Sequence, residues 1–141
     1  MIIRRINPPQ LQPHQGLSHV VEVTGGRTLY LSGQGAYDSE NQIVGAGDHY
    51  AQATQAFANV STALAAAGAT FADVVKATYY LVGLNEEVLG HFARALYEVP
   101  GIAPDALPAS TMVGVETLAF PEMLIEIDVT AVVPMERSAT P

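Results

Sequence analysis

Residues 107–133 constrain the fold of this chain most, because their sequence predicts two neighbouring β-strands. Apolar side chains alternate with small or polar ones over 109–117 and again over 123–133, with the two-residue period of a strand. One face of the second strand carries Met123, Ile125, Ile127, Val129, Ala131 and Val133. Glu126 and Asp128 lie on the other face, roughly 7 Å apart along the strand. Two such carboxylates mark either a solvated face or the lining of a cleft.

The composition predicts a single self-associating domain over residues 1–141. Hydrophobic residues make up 49% of the chain and charged residues only 14%. Few charges are available to cover a monomer, so part of the exterior is expected to be buried against other copies. The formal net charge is −8 and Lys76 is the only lysine, which argues against binding to nucleic acid or to an acidic membrane surface.

No metal or cofactor site is predicted. The chain has no cysteine, which excludes disulfides and thiolate ligands and fits a reducing cytosol. Its four histidines, His14, His19, His49 and His91, show neither H-x-H nor H-E-x-x-H spacing. Residues 1–10 are too short and proline-broken for a signal peptide, and no apolar run reaches transmembrane length. We therefore predict a cytoplasmic protein that uses no cofactor.

Periodicity and capping signals predict the element order β-β-α-β-α-β-β. An extended arm is predicted over 1–16, followed by a hairpin of strands 18–23 and 28–32 around Thr24-Gly25-Gly26-Arg27. The first helix is capped by Asp48 and ends before Gly68, and a strand over 74–82 follows it. The second helix is capped by Asn85 and ends near 99, and it is followed by the two C-terminal strands and a tail over 134–141. Two helices of this length can cover one face of a single sheet, so the predicted fold class is α+β.

Short motifs, taken in order, resemble those of the YjgF/RidA (Rid) family. They are Ser18-His19, Ser32-Gly33-Gln34, Pro108-Ala109-Ser110-Thr111 and Ile125-Glu126-Ile127-Asp128, where the family has S-H, S-G-Q, P-A-R-S and I-E-I-E. The resemblance spans residues 18–133. It implies a subunit of the chorismate-mutase-like type, assembled as a homotrimer with a cleft at each subunit boundary.

The resemblance also implies roles for residues in the C-terminal strands. Glu126 matches the glutamate that positions or activates water in imine-hydrolysing members, and a solvent-facing acid is the alternative interpretation. Ser110 stands where those members carry the arginine that clamps the substrate carboxylate. Hydroxyl and backbone N–H groups of Ser110, Thr111 and Met112 would then hold a polar substrate atom without a cation.

Further candidate substrate-binding residues follow from their matched positions. Ser32 and Gly33 belong to the S-G-Q motif, although a lone G-x-G pattern is a weak phosphate signal. His19 and His91 are candidate donors to a substrate, with helix-capping or surface roles as the alternative. Either an apolar cleft wall or part of the core is predicted for three strand tyrosines and a methionine, namely Tyr30, Tyr79, Tyr80 and Met112.

Two functions of different classes follow. The favoured one is a Rid-family enzyme acting on a small molecule, by hydrolysis or proton transfer at an imine, enamine or related reactive intermediate. The missing arginine predicts that ordinary 2-iminoacids are not its substrates. The alternative is a non-catalytic module that binds a metabolite or a protein partner at the same clefts.

Overall fold

Residues 1–136 are described by the computed structural model, and they form six strands, two helices and one short 3₁₀ turn. The elements are β1 (Ile2–Ile6), β2 (Val20–Thr24), β3 (Arg27–Tyr30), α1 (His49–Ala66), the 3₁₀ turn (Phe71–Asp73), β4 (Val74–Val82), α2 (Glu86–Tyr97), β5 (Ala109–Val115) and β6 (Ile125–Val133). Of the predicted tail over 134–141, residues from 137 onward lie outside the described residues. Neither helix of the described part is long and apolar enough to cross a membrane.

Both helices begin at the predicted caps. The side chain of Asp48 accepts a hydrogen bond from the Ala51 N–H at 3.0 Å, and that of Asn85 accepts one from the Val88 N–H at 2.8 Å. Each bond satisfies one of the amide donors that the first turn of a helix leaves free. Gly68 follows α1 with a φ of +77°, as expected for the residue that ends a helix.

Strand β6 lies inside a four-stranded sheet of order β3-β6-β4-β5. It is antiparallel to β3 and to β4, whereas β5 runs parallel to β4. The predicted α+β class, two helices packed on one face of a sheet, is confirmed.

The N-terminal strands differ from the prediction. Strands β2 and β3 do not form a hairpin, because β2 pairs with β1 in a separate two-stranded sheet and β3 pairs with β6. The first part of the predicted arm is therefore a paired strand, with Arg4 bonded to Glu22 at 2.7 Å. Gly25 and Gly26 both have positive φ, and the turn that they make passes the chain from one sheet to the other.

The core lies between the helices and the sheet. Its members are the apolar stripe of α1, the inner face of α2 and alternate residues of β4 and β6, including Ala53, Val60, Leu64, Leu81, Val88, Ile125, Ile127 and Val129. Phe57 stands at its centre, with its ring centroid 5.8 Å from that of Phe71, 6.2 Å from that of Tyr79 and 5.4 Å from that of Phe92. Packed aromatic rings of this kind hold one another in fixed positions.

Gln52 is a fully buried polar residue of α1. Its amide nitrogen donates to the carbonyl oxygens of Gly45 and Glu122, and its amide oxygen accepts from the Leu124 N–H at 2.8 Å. These bonds join the helix to the loop before it and to the segment that leads into β6. Each satisfies a backbone group that would otherwise need another partner.

We predict that Gln52→Leu lowers the free energy of unfolding by about 2–4 kcal/mol, since it removes three part-buried hydrogen bonds and leaves their backbone partners unpaired. Gln55→Leu is the matched control, because within residues 1–136 Gln55 bonds only to Asn59 of the same helix, and a loss below about 1 kcal/mol is expected there. Urea denaturation measures both. Equal losses in the two variants would contradict a special role for Gln52.

Candidate functional site

Glu126 lies on the face of β6 that points away from the helices. It is half-buried and stands opposite Tyr80 of β4, while Asp128 stands opposite Thr78 and is exposed. Both predicted carboxylates are thus on the outer face of the four-stranded sheet. Among residues 1–136, no group donates a hydrogen bond to the Glu126 carboxylate. Its oxygens can therefore accept from a bound molecule or from water.

The segment 32–34 lies directly against Glu126. The Gln34 N–H donates to the Ile127 carbonyl at 2.8 Å, and the Ile127 N–H donates to the Gln34 carbonyl at 2.9 Å. This pairing brings Gly33 so near that a Cβ built on it would overlap the Glu126 carboxylate. The structure therefore brings Gly33 together with Glu126, and a larger residue at 33 would push the Glu126 carboxylate aside.

Asn59 of α1 fixes the course of the chain just beyond this segment. Its side-chain amide donates to the carbonyl oxygens of Gly35 and Tyr37, both at 2.8 Å. Gln55 donates to the Asn59 side-chain oxygen at 2.9 Å, which orients the amide. Helix α1 thereby holds the S-G-Q segment in place beside β6.

Ser110 and Met112 border a cavity on the other face of the sheet. Its volume is about 380 Å³, and it lies between β5, α2 and residues 15–17. Its lining consists of Gln15, Gly16, Leu17, Tyr79, Leu89, Phe92, Ala93, Leu96, Tyr97, Ser110 and Met112. None of these side chains carries a charge. We call it the Ser110 cavity.

Tyr79 is one of the residues that line the Ser110 cavity, although its hydroxyl is enclosed among protein atoms. The residue is only 2% exposed and stands beside Met112 in the parallel pairing of β4 with β5. Its hydroxyl has no hydrogen-bond partner among the described residues. Burial, with a smaller contribution from nearby Tyr97, raises the pKa of the Tyr79 hydroxyl well above its usual range. The phenol therefore stays protonated, and it belongs to the core rather than to the open space of the cavity.

The predicted site residues do not form one site within a single chain. Ser110 and Met112 point to the helix side of the sheet, whereas Thr111 points to the outer face, where Lys76 approaches its hydroxyl at 3.4 Å. Glu126 and Gly33 are also on the outer side. The predicted group of Ser110, Thr111 and Met112 is divided because successive strand residues point to opposite faces.

The two candidate histidines make contacts within the chain. The His19 N–H donates to the Asn7 side chain, and His19 Nε2 lies 2.8 Å from the Gln12 carbonyl oxygen. His91 lies 3.5 Å from Glu87, one turn earlier on α2. Neither residue lines the Ser110 cavity.

Other cavities contain few of the predicted residues. One of about 450 Å³ lies between α1 and α2 and includes none of them. A depression of about 530 Å³ borders Gly33 and Asn59 on the α1 side but does not include Glu126. No cluster of histidine, aspartate or glutamate side chains in residues 1–136 could hold a metal ion.

Comparison with known proteins identifies the family. Residues 9–133 match the family described as Endoribonuclease L-PSP, and the chain therefore belongs to this family, the YjgF/RidA or Rid proteins. One similar solved structure comes from Yersinia pestis and is described as a protein of unknown function of the conserved Rid protein family YyfB. It is 40% identical in sequence and superposes with a TM-score of 0.84. The match covers 94% of this chain and 100% of that one. The recognition of the family from its short motifs is confirmed.

Curated relatives include deaminases. The 2-iminobutanoate/2-iminopropanoate deaminase of Capra hircus is 32% identical over 129 residues, which cover 84% of this chain and 90% of the relative. Protein DfrA of Myxococcus xanthus is 33% identical over 113 residues, which cover 72% of this chain and 82% of the relative. The family thus contains proteins that act on imines.

We predict that Gly33→Ala displaces either the Glu126 carboxylate or the segment paired with Ile127, because the added methyl group overlaps Glu126. Because the overlapping atoms are at the end of a flexible side chain, the expected loss in the free energy of unfolding is small, about 0.5 kcal/mol. A crystal structure of the variant and its urea denaturation measure these effects.

Gly90→Ala is the control for this change. A Cβ at Gly90, inside α2, meets nothing within 4 Å, and the variant should be more stable by roughly 0.5–1 kcal/mol. A Gly33→Ala variant of unchanged stability, with Glu126 in its original position, would contradict the prediction.

Proposed function

We propose that this protein is a Rid-family enzyme that hydrolyses a small neutral imine or enamine at a cleft between two copies of the chain. The observation that carries the proposal is the separation of two half-sites. Glu126 and Gly33 lie on the outer face of the sheet, and the uncharged Ser110 cavity lies on its helix face. A carboxylate that could act as the base and an uncharged cavity that could bind the substrate lie on opposite sides of the sheet.

A second copy of the chain would unite the half-sites. The sheet's outer face carries Tyr30, which is 84% exposed, together with the half-buried Tyr80 and Val113. Apolar and aromatic surface of this kind is stabilised when another subunit covers it. Resemblance to the family favours a homotrimer, in which Glu126 of one subunit would face the Ser110 cavity of the next.

Glu126 supports a water-addition mechanism. Its carboxylate would take a proton from water as the water oxygen bonds to the imine carbon, and the imine nitrogen would gain a proton. The resulting amino alcohol then loses ammonia to leave a carbonyl compound. A protein carboxylate and water suffice for these steps, so the proposal includes no metal or cofactor.

The lining of the Ser110 cavity supports a neutral substrate. It contains no lysine or arginine, and a buried carboxylate without a cation or several N–H donors would be strongly disfavoured. Losing one charge-assisted contact, worth ~1.5–3 kcal/mol, weakens binding about 10- to 150-fold. We therefore propose that 2-iminoacids, named as substrates of the deaminase relatives, are poor substrates here.

The negative net charge of the chain argues against nucleic acid and acidic membranes as partners. The family description names an endoribonuclease, but one lysine and a net charge of −8 supply little attraction for a phosphate backbone. An acidic membrane surface is disfavoured for the same reason. We propose a cytoplasmic enzyme whose partners are its small substrate and its own copies.

A matched pair of imines tests the proposed reaction. An amine oxidase converts 3-methylbutylamine to a neutral imine, and an amino-acid oxidase converts leucine to the imine that additionally carries a carboxylate. We predict that the protein accelerates ammonia release from the neutral imine, and accelerates it at least about 10-fold less from the carboxylated one. Glu126→Gln should abolish the acceleration while leaving the thermal midpoint unchanged or slightly higher.

Three outcomes would count against this proposal. Acceleration that is as strong with the leucine-derived imine would refute the preference for neutral substrates. Full activity in Glu126→Gln would remove the proposed base. A Ser110→Arg variant that loses activity on the carboxylated imine would refute the role of Ser110, whereas activity gained only in that variant supports it.

Assembly gives a further prediction. The protein should scatter light as a particle of three times the mass of one chain at micromolar concentration. Tyr30→Glu places a charge on the exposed face of the sheet and should dissociate the assembly, because burying an unpaired charge is costly. Met135→Glu, at a 67% exposed position beyond β6, is the control and should leave it intact. A wild-type monomer would rule out a cleft made by two copies.

The apolar Ser110 cavity also favours a second candidate function, a non-catalytic module that binds a neutral metabolite. Gln15, Tyr79, Tyr97 and Ser110 are the lining residues with polar side chains, and the Tyr79 hydroxyl is enclosed among protein atoms. Ligand binding with no turnover of either imine would favour this module over the enzyme.

A further inference from the structure

We propose that Tyr80 is the acid partner of Glu126, and that its hydroxyl supplies the proton that the imine nitrogen gains as water adds to the imine carbon. The inference rests on the proposed function, because it assigns the second proton-transfer group of the same reaction. Tyr80 would thus be a catalytic residue that touches the substrate.

Tyr80 is the side chain directly across from Glu126 in the sheet. The two residues are register partners in the antiparallel pairing of β4 with β6, and both point away from the core. Cβ atoms of directly opposite residues in such a pair lie about 4.5–5.5 Å apart. On the far side of Glu126 stands Gly33, which has no side chain. A small molecule bound at the carboxylate would therefore also lie beside Tyr80.

The Tyr80 hydroxyl and the Glu126 carboxylate are both available to a bound molecule. Among residues 1–136, neither group makes a hydrogen bond. Both residues are half-buried, so they are partly withdrawn from water even in a single chain. The other neighbour of Tyr80 across the sheet is Val113 of β5, whose apolar side chain offers the hydroxyl no competing acceptor.

Other side chains of this face that can carry a proton lie farther along the strands. Lys76 is near the start of β4, where it pairs with Thr130 and approaches the Thr111 hydroxyl at 3.4 Å. Asp128 is exposed, and an ionised carboxylate accepts hydrogen bonds but does not donate them. Within the described part of the chain, Tyr80 is therefore the donor placed next to Glu126.

The chemistry of water addition requires an acid at this position. As the water oxygen bonds to the imine carbon, the electron pair of the C=N bond moves to the nitrogen, which becomes strongly basic. A phenol is a much stronger acid than water, so Tyr80 would protonate this nitrogen more readily than a water molecule would. Glu126 takes the proton that the attacking water releases. The step leaves an amino alcohol, a protonated Glu126 and a Tyr80 phenolate.

The second step restores both residues. Protonated Glu126 gives its proton to the amino group, and the Tyr80 phenolate takes the proton of the alcohol hydroxyl. The carbon–nitrogen bond breaks, ammonia leaves, and the carbon–oxygen bond becomes the double bond of a carbonyl group. One imine and one water are thereby converted to one carbonyl compound and one ammonia, and no other reactant is consumed.

Tyr80→Phe tests this role by removing one oxygen atom. The substrate is the neutral imine that an amine oxidase makes from 3-methylbutylamine, and ammonia release is followed at several imine concentrations. We expect kcat to fall about 100-fold or more, the contribution of general acid catalysis. KM should change less than about 3-fold, because a group that acts only in the transition state lowers kcat and kcat/KM alike.

Tyr30→Phe is the matched control. It removes the same atom from an 84% exposed tyrosine of the outer face, which pairs with Thr130 and not with Glu126. Both kinetic constants should stay at the wild-type values. Thermal midpoint and light scattering should match the wild type in both variants, because neither hydroxyl makes a hydrogen bond within residues 1–136.

Three results would overturn the inference. They are a wild-type kcat in Tyr80→Phe, a raised KM at unchanged kcat, and a loss of kcat that accompanies loss of the assembly. The first means that no proton comes from Tyr80, the second that its hydroxyl only binds substrate, and the third that the residue is structural.

Failure of the proposed function gives a different pattern. A fully active Tyr80→Phe beside an inactive Glu126→Gln refutes only the acid role of Tyr80. Full activity in Glu126→Gln, with the loss in Tyr80→Phe as expected, refutes the proposed base and leaves Tyr80 as the proton donor. A wild-type protein that accelerates the hydrolysis of neither imine refutes both.

Discussion

The two-residue pleat of β6 is the constraint on which the rest of the structure depends. The strand lies between β3 and β4, so its Ile125, Ile127 and Val129 reach the core, whereas Glu126 and Asp128 must face outward. Any shift of one residue in register would bury the acids and expose the apolar set. The requirement to keep isoleucine and valine side chains inside therefore also positions the candidate catalytic carboxylate.

Side-chain amides of α1 connect this strand to the helix layer. Gln52 ties α1 to the segment that enters β6, and Asn59, two turns further on, holds the chain beyond Gly33. Helix α1 thus contributes both to the core and to the site, through polar side chains directed at backbone groups. Hydrogen bonds of this type specify one arrangement of loop and strand where apolar packing alone would tolerate several.

The chemical character of the two half-sites differs. The outer half offers a carboxylate with no donor from the described residues, next to a glycine that gives it room. The helix-side half is uncharged and is lined mainly by apolar side chains. An acid that can accept a proton and an apolar cavity that orients a neutral group are the components that hydrolysis of a small imine requires. Their location on opposite faces makes self-association part of the proposed function.

The sequence by itself determined the helices, the strands of the four-stranded sheet, the family and the facing of Glu126. Each of these follows from local signals, namely caps such as Asp48 and Asn85, the strand period and short motifs. Only the tertiary structure decided that β2 leaves β3 to pair with β1, that Gly33 meets Glu126, and that Tyr79 borders the same cavity as Ser110. The physical reason is that strand pairing and cavity lining depend on contacts between residues far apart in the chain. Local periodicity tells which way a side chain points and not what it meets.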